Sequence, residues 1–225
     1  MKIGIIGYGK MGKAIEKISI NKGYKIIFKI NSKNLSELNK INVSKCDVII
    51  EFSNPKNAFK NISFCLKLGA KVISGSTGWT QKLEEAKKIC LENSATFLFS
   101  ENYSLGLNIF LESVQKIASD SNKNKFKIEI TETHHISKKD KPSGTALLIK
   151  EKISSEKNKD SVKIKSVRTG DVIGDHEIKY IYENEIISLK HRALNRDIFA
   201  KGAILAAEFV SNKTGVFHMS DIIKN

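Results

Sequence analysis

Lys2-Ile3-Gly4-Ile5-Ile6-Gly7-Tyr8-Gly9-Lys10-Met11-Gly12 is the stretch whose reading decides the fold. Its first five residues form a short apolar run, as expected of a strand buried on both faces. It runs directly into Gly-x-Gly-x-x-Gly and then into an amphipathic segment. That segment has Met11, Ala14, Ile15 and Ile18 on one helical face and Gly23 placed to end it. Each glycine has a job in binding a dinucleotide. Gly7 permits the tight turn, Gly9 lets the backbone approach a pyrophosphate, and Gly12 lets helix and strand pack closely. The phosphates would lie at the helix N-terminus, where free N–H groups and the dipole favour an anion. The hexapeptide alone is weak evidence, because a purely structural glycine turn reads the same. Its position between a strand and a helix is what favours a nucleotide site at Gly7, Tyr8, Gly9, Lys10, Met11 and Gly12.

Working outward, strands expected at 24–30, 46–52, 70–73 and 95–99 alternate with helices, the pattern of a parallel sheet. Residues 29–33 read Lys-Ile-Asn-Ser-Lys, with no acid where an NAD-binding fold usually holds the adenosine ribose. Asn54 and Pro55 read as the cap and first turn of a helix that Gly69 ends. Gly75, Ser76 and Thr77 follow strand four, and Ser100, Glu101, Asn102 and Tyr103 follow strand five. Loops at the C-terminal edge of a parallel sheet are where such folds hold ligands. Helices are expected at 105–118 and 197–210, and a short terminal element at 220–223.

The second half changes character. Residues 126–133 alternate, with Phe126, Ile128 and Ile130 opposite Lys127, Glu129 and Thr131. Further alternating segments at 162–167, 177–182 and 185–190 predict a mixed or antiparallel sheet with an open apolar face that invites self-association. Polar stretches at 119–125 and 154–161 read as surface segments. The first strand leads into Glu132-Thr-His134-His135-Ile-Ser-Lys138-Lys139-Asp140-Lys141-Pro142-Ser143-Gly144-Thr145-Ala146. Ser143 or Thr145 would cap the helix that follows, turning its free N–H groups toward two imidazoles and several ammonium groups. Such a loop suits holding an anion and moving protons near it. For the lysines alone, a solvated basic loop is the plainer reading.

That run resembles the signature of the dihydrodipicolinate reductase family, Glu-x-His-His-x-x-Lys-x-Asp-x-Pro-Ser-Gly-Thr-Ala, at every fixed position. The resemblance extends in matching order over nearly the whole chain. It implies a Rossmann-like nucleotide domain at 1–104 and 196–225, and a substrate-binding and oligomerisation domain at 105–195 that assembles a homotetramer through its sheet. It implies cytoplasmic, NADPH- or NADH-dependent reduction of a cyclic imine dicarboxylate in lysine and diaminopimelate biosynthesis. Gly75, Ser76 and Thr77, with Ser100 to Tyr103, would meet the nicotinamide end of the cofactor. The family has threonine where Ser76 stands, and Glu101 has no counterpart in its pattern. His135, Lys138, Gly144 and Thr145 would hold substrate carboxylates, and Lys138 or His134 would supply a proton once hydride has arrived. Arg196 stands where the family also has arginine.

Lysine and arginine exceed acids by 38 − 24 = 14. The lysines are scattered, with no recognition-helix signature, zinc spacing or aromatic-basic interleaving, so neither nucleic acid nor a metal is expected as a partner. The amino-acid or sugar dehydrogenases share the first domain but lack the His-His run, and the charge alone motivates a non-catalytic nucleotide-sensing or nucleic-acid-binding protein as a rival. Cys46, Cys65 and Cys90 lie in apolar stretches without Cys-x-x-Cys spacing, which predicts free thiols. No apolar run approaches the ~20 residues of a membrane span.

Overall fold

A computed structural model describes residues 1–120, 126–154 and 162–224, residue 154 by its backbone alone. Most of the polar stretches at 119–125 and 154–161 lies outside the described residues. The chain divides into two compact units, Met1–Leu105 with Asp197–Asn225, and Gly106–Arg196.

Unit 1 holds a six-stranded sheet built from β1 (Lys2–Ile6), β2 (Lys25–Ile30), β3 (Val48–Glu51), β4 (Lys71–Ser74), β5 (Thr96–Phe99) and β10 (Gly215–Phe217). Its order is β10-β5-β4-β3-β1-β2 and every pair is parallel. Successive residues of the central strands feed opposite faces. Ile5, Ile50, Ile73 and Leu98 pack with α1 (Lys10–Asn21) and α7 (Asp197–Val210). Ile49, Val72 and Phe97 pack with α3 (Pro55–Lys67) and α4 (Leu83–Glu92). All seven strand residues are fully buried, each contributing about 1.5–3 kcal/mol. The helix signals act as read. The Asn54 side chain accepts from the Asn57 N–H with Pro55 in the first turn, and Gly69 leaves the helix at φ +71°. A 3₁₀ turn at Thr80–Lys82 precedes α4, and α2 (Lys40–Ser44) joins β2 to β3.

Unit 2 is a four-stranded mixed sheet of β6 (Lys127–His134), β7 (Lys163–Arg168), β8 (Asp175–Tyr182) and β9 (Glu185–Arg192), in the order β7-β6-β8-β9. The pair β6–β7 is parallel and the other two are antiparallel. One face puts Ile128, Ile130, Ile178 and Tyr180 against α5 (Leu105–Asp120) and α6 (Gly144–Ser154). The Tyr180 hydroxyl is satisfied by the Val114 carbonyl at 2.8 Å. The other face corrects the expectation of an open apolar surface. Register stacks Glu129 on Lys179 and Ser188, and Thr131 on Glu177 and Lys190. Among the described residues, the aliphatic side chains there are Ile181 and Ile186 in the row of Lys127, and Val167 beside Thr133 at the other end. A strand pattern fixes which residues share a face but not how the rows of different strands combine.

Candidate active site

The glycine turn is a cradle that side chains would fill. Gly7 stands at φ +97°, and a Cβ there would strike the Phe52 and Ser53 backbone. A Cβ on Gly12 would strike the Gly7 carbonyl, whereas Gly9 faces open space. Gly9 begins α1 with no side-chain cap, so the first N–H groups of a twelve-residue helix are left for an anion. These features fit a dinucleotide pyrophosphate. Backbone N–H groups of Gly7 and Tyr8 both donate to the Ile30 carbonyl at 2.9 Å, which fastens the turn to the end of β2.

A carboxylate does stand at that strand end, although none was legible in the chain around it. Glu16 of α1 pairs with Lys29 at 3.0 Å and accepts from the Tyr8 hydroxyl, while the Lys29 ammonium lies 4.9 Å from the centre of the Tyr8 ring. The Tyr8 bond and then Lys29 hold the Glu16 carboxyl below the usual range, outweighing its slight burial. Lys33 has no ion-pair partner among the described residues.

After β4, Gly75 is half-buried and Thr77 exposed, while the Ser76 hydroxyl turns inward to Glu51 at 3.1 Å. The Trp79 indole N–H donates to the Ser76 carbonyl at 2.7 Å and fixes the loop. After β5, the Tyr103 side chain is buried, its hydroxyl donating to the Ser74 carbonyl at 2.8 Å. Tyr103 is thus a brace between the two loops. Ser100 is buried, Asn102 ties its own loop by accepting from the Ser104 N–H, and Glu101 is exposed.

In unit 2, β6 delivers Glu132 and His134 to the buried face, two residues apart. Glu132 is fully buried and bonded to the Nδ1 of His134, and Arg168 on the neighbouring β7 pairs with it at 2.8 Å. Arg168 also donates to the Asp140 carbonyl at 2.6 Å, so one guanidinium clamps strand and loop together. Burial pushes the Glu132 carboxyl up, but the Ser166 hydroxyl, Arg168 and His134 outweigh it and hold it low. For His134, burial prevails over the Glu132 attraction and lowers the imidazole, with Lys138 and Arg168 adding to the effect. A neutral imidazole that gives its Nδ1–H to Glu132 keeps an acceptor at Nε2. That Nε2 faces Gly174, where a Cβ would approach it to 3.2 Å.

His176, the cross-strand neighbour of Glu132, sets its ring edge-on to His134 at 5.2 Å. Burial, then His134 and His191, lower its imidazole to about 4. Ligand atoms of Glu132, His134 and His176 lie within 4.8 Å of one another. Arg168 already occupies the carboxylate, so a metal ion there would compete with a paired guanidinium.

The loop beyond carries the remaining candidates. Lys138 is half-buried and pairs with Asp140 at 2.8 Å, which holds the Asp140 carboxyl below its usual range. His135 is half-buried, its Nδ1 bonded to the Ser137 hydroxyl at 2.7 Å, and Lys139 is exposed. Of the two candidate caps, Ser143 is the one used, its hydroxyl accepting from the Ala146 N–H at 3.2 Å. Gly144 and Thr145 therefore form the first turn of α6, with open space around Gly144. The sequence reading brought His134, His135, Lys138, Gly144 and Thr145 to one loop and its flanks, but missed Arg168 and His176. Their only signal is that β7 and β8 alternate in step with β6.

These features define a nicotinamide-dependent oxidoreductase with a Rossmann-like unit and a mixed-sheet unit. Family models for the dihydrodipicolinate reductase N-terminus and C-terminus match residues 1–103 and 106–223, and the chain belongs to that family. It is 38% identical to a 4-hydroxy-tetrahydrodipicolinate reductase of Christiangramia forsetii and 38% identical to one of Thermosipho africanus. Each alignment covers 100% of this chain and 98% of the relative. Among solved structures it is similar to a dipicolinate-bound dihydrodipicolinate reductase from Paenisporosarcina sp. TG-14, with TM-score 0.83, 20% identity and 97% of each chain covered. The fold alone is shared with an amine dehydrogenase of Mycobacterium smegmatis, with TM-score 0.64, 9% identity, and 96% of this chain and 94% of that one covered.

Proposed function

We propose that this chain catalyses the NAD(P)H-dependent reduction of 4-hydroxy-tetrahydrodipicolinate to tetrahydrodipicolinate, as a cytoplasmic step of lysine and diaminopimelate biosynthesis. The observation that carries the reading is the loop of unit 2. There a neutral His134, fixed by Glu132, precedes a Lys138 ammonium held by Asp140 and the first turn of α6.

The Gly7–Gly12 turn and the loops after β4 and β5 would hold the cofactor, which would supply a hydride. Every other step belongs to the chain. The Thr145 N–H, with that of Gly144, which the Asp140 carboxylate already shares, binds one substrate carboxylate at a helix N-terminus, and the His135 ring with Lys138 binds the other. Protonation of the reduced ring falls to Lys138. The Nε2 of His134 carries no proton to give, so His134 acts as the acceptor that orients a donor beside it. Lys33 is the cation free to meet a 2′-phosphate, which makes NADPH at least as good a cofactor as NADH. Assembly as a homotetramer through the open face of the second sheet belongs to the same proposal, with Ile181 and Ile186 as its apolar row.

Calorimetric titration with pyridine-2,6-dicarboxylate tests the substrate assignment. The wild-type protein is expected to bind it, and His135→Gln to bind it about tenfold more weakly, the loss of one charge-assisted hydrogen bond. Equal affinities would remove His135 from the carboxylate site.

A further inference from the structure

Glu51, the last residue of β3, is a fully buried carboxylate, and no lysine, arginine or histidine among the described residues is paired with it. A buried charge usually has a cationic partner. Glu51 has hydroxyls and one N–H instead. It accepts from the Ser53 N–H at 2.9 Å, the Ser53 hydroxyl, the Ser74 hydroxyl at 2.7 Å and the Ser76 hydroxyl at 3.1 Å. The Ser53 oxygen in turn accepts from the Asn61 side chain at 3.3 Å, which leaves its own proton for Glu51. Hydroxyls satisfy the carboxylate without neutralising it. Its negative charge also acts on Tyr103, whose phenol burial raises first and Glu51 second. Glu51 thus stands at the C-terminal ends of β3 and β4, behind the Gly75–Thr77 loop and beside the Tyr103 brace.

We infer that Glu51 is an electrostatic positioning residue, whose unneutralised charge behind Ser76 favours the oxidised, positively charged nicotinamide ring over the reduced one. The inference rests on the nucleotide reading of unit 1. A reductase that takes a hydride from a dihydronicotinamide breaks a C–H bond, sends the electron pair to its substrate and leaves a ring one positive charge richer. A fixed negative charge in a dry site lowers the cost of that change without moving at the moment of reaction. A neutral dihydronicotinamide gains nothing comparable. Glu51 therefore favours hydride donation through a differential effect on the two cofactor forms, not through tighter binding of both.

Equilibrium titrations of NADPH and NADP⁺, followed by protein and cofactor fluorescence, separate charge from shape. Glu51→Gln and Glu51→Met are neutral residues of similar length, and either one that keeps a cooperative melt suffices. Each is expected to weaken NADP⁺ at least tenfold relative to NADPH, since at an effective dielectric of ~20 a unit charge within about 12 Å has an effect of this size or more. Glu51→Asp, which keeps the charge, is expected to retain the wild-type ratio. An unchanged ratio in the neutral variants would overturn the inference. So would an equal loss of both forms with aspartate no better, because Glu51 would then only shape the loop. Wild-type protein that binds neither nucleotide would sink the nucleotide reading of unit 1 itself, and this inference with it.

Discussion

Replacing Arg168 by methionine tests whether the Glu132–His134 pair depends on its clamp. Methionine keeps most of the length and apolar stem of the side chain and removes the charge. In the wild type Glu132 is fully buried and its 2.8 Å partner Arg168 is only 13% exposed, so solvent cannot replace the lost cation. Stranding one member of a buried ion pair costs about 3–5 kcal/mol. The Ser166 hydroxyl and His134 remain on Glu132, so the lower end, about 3 kcal/mol, is expected. For a chain of this size that lowers the melting temperature by roughly 6–12 °C. The double variant Arg168→Met/Glu132→Gln buries no unpaired charge and should recover at least half of the loss. The pH dependence has a definite sign. The wild-type Glu132 carboxyl is held below its unfolded value, so its contribution is present above that value, about 4.3, and fades as pH falls through the folded one. Without Arg168 the depression goes, so the gap between variant and wild type should be widest at neutral pH and narrow toward pH 4. Melting followed by circular dichroism at pH 7 and pH 4, with both variants, measures all of this. A loss under about 1 kcal/mol, or a double variant no better than the single one, would refute the claim that Arg168 sustains the pair.

Further predictions concern the loop, the cofactor and the histidines. Lys138→Met should lower kcat at least a hundredfold with NADPH affinity nearly unchanged, while the exposed Lys139→Met should lose less than twofold; equal small losses would return Lys138 to the solvated surface. Lys33→Ala should weaken NADPH several-fold and leave NADH unchanged, as measured by fluorescence titration, and an equal effect on both would detach Lys33 from the 2′-phosphate. His176 is lowered from 6.5 to about 4, so its neutral form stabilises the fold above pH 6.5 and that contribution fades as pH falls toward 4. The shift amounts to about 3 kcal/mol, so urea midpoints should drop between pH 7 and pH 4.5 in the wild type and drop less in His176→Phe.

The parallel sheet could be read from the sequence because its rules are local. A buried strand is a short apolar run, Asn54 and Pro55 announce a helix, and Gly7 and Gly12 mark a turn that admits no side chain. Two elements escaped for the opposite reason. The strand Gly215–Phe217 has three residues, too few for any periodicity, and exists because β5 offers a free edge. The helix Lys40–Ser44 has five residues and is held by the Asn39 cap. In the site, contiguous residues were found and tertiary partners were not. Glu16 reaches the end of β2 from the next helix face, across 13 positions to Lys29. Arg168 reaches Glu132 only because β7 pairs with β6 in parallel register, setting Arg168 beside His134. The inward turn of the Ser76 hydroxyl depends on Glu51, 25 positions earlier, and no spacing rule connects the two.

In the proposed reaction one chain binds a reduced nicotinamide cofactor and delivers its hydride to a cyclic imine dicarboxylate, with Lys138 as the proton donor. The most direct test follows NADPH absorbance with substrate generated in place from pyruvate and aspartate semialdehyde, for wild type, Lys138→Met and Lys139→Met in parallel. Substrate-dependent NADPH oxidation by the wild type and Lys139→Met, nearly abolished in Lys138→Met, is the expected result. Absence of oxidation by the wild type with both NADPH and NADH would contradict the account.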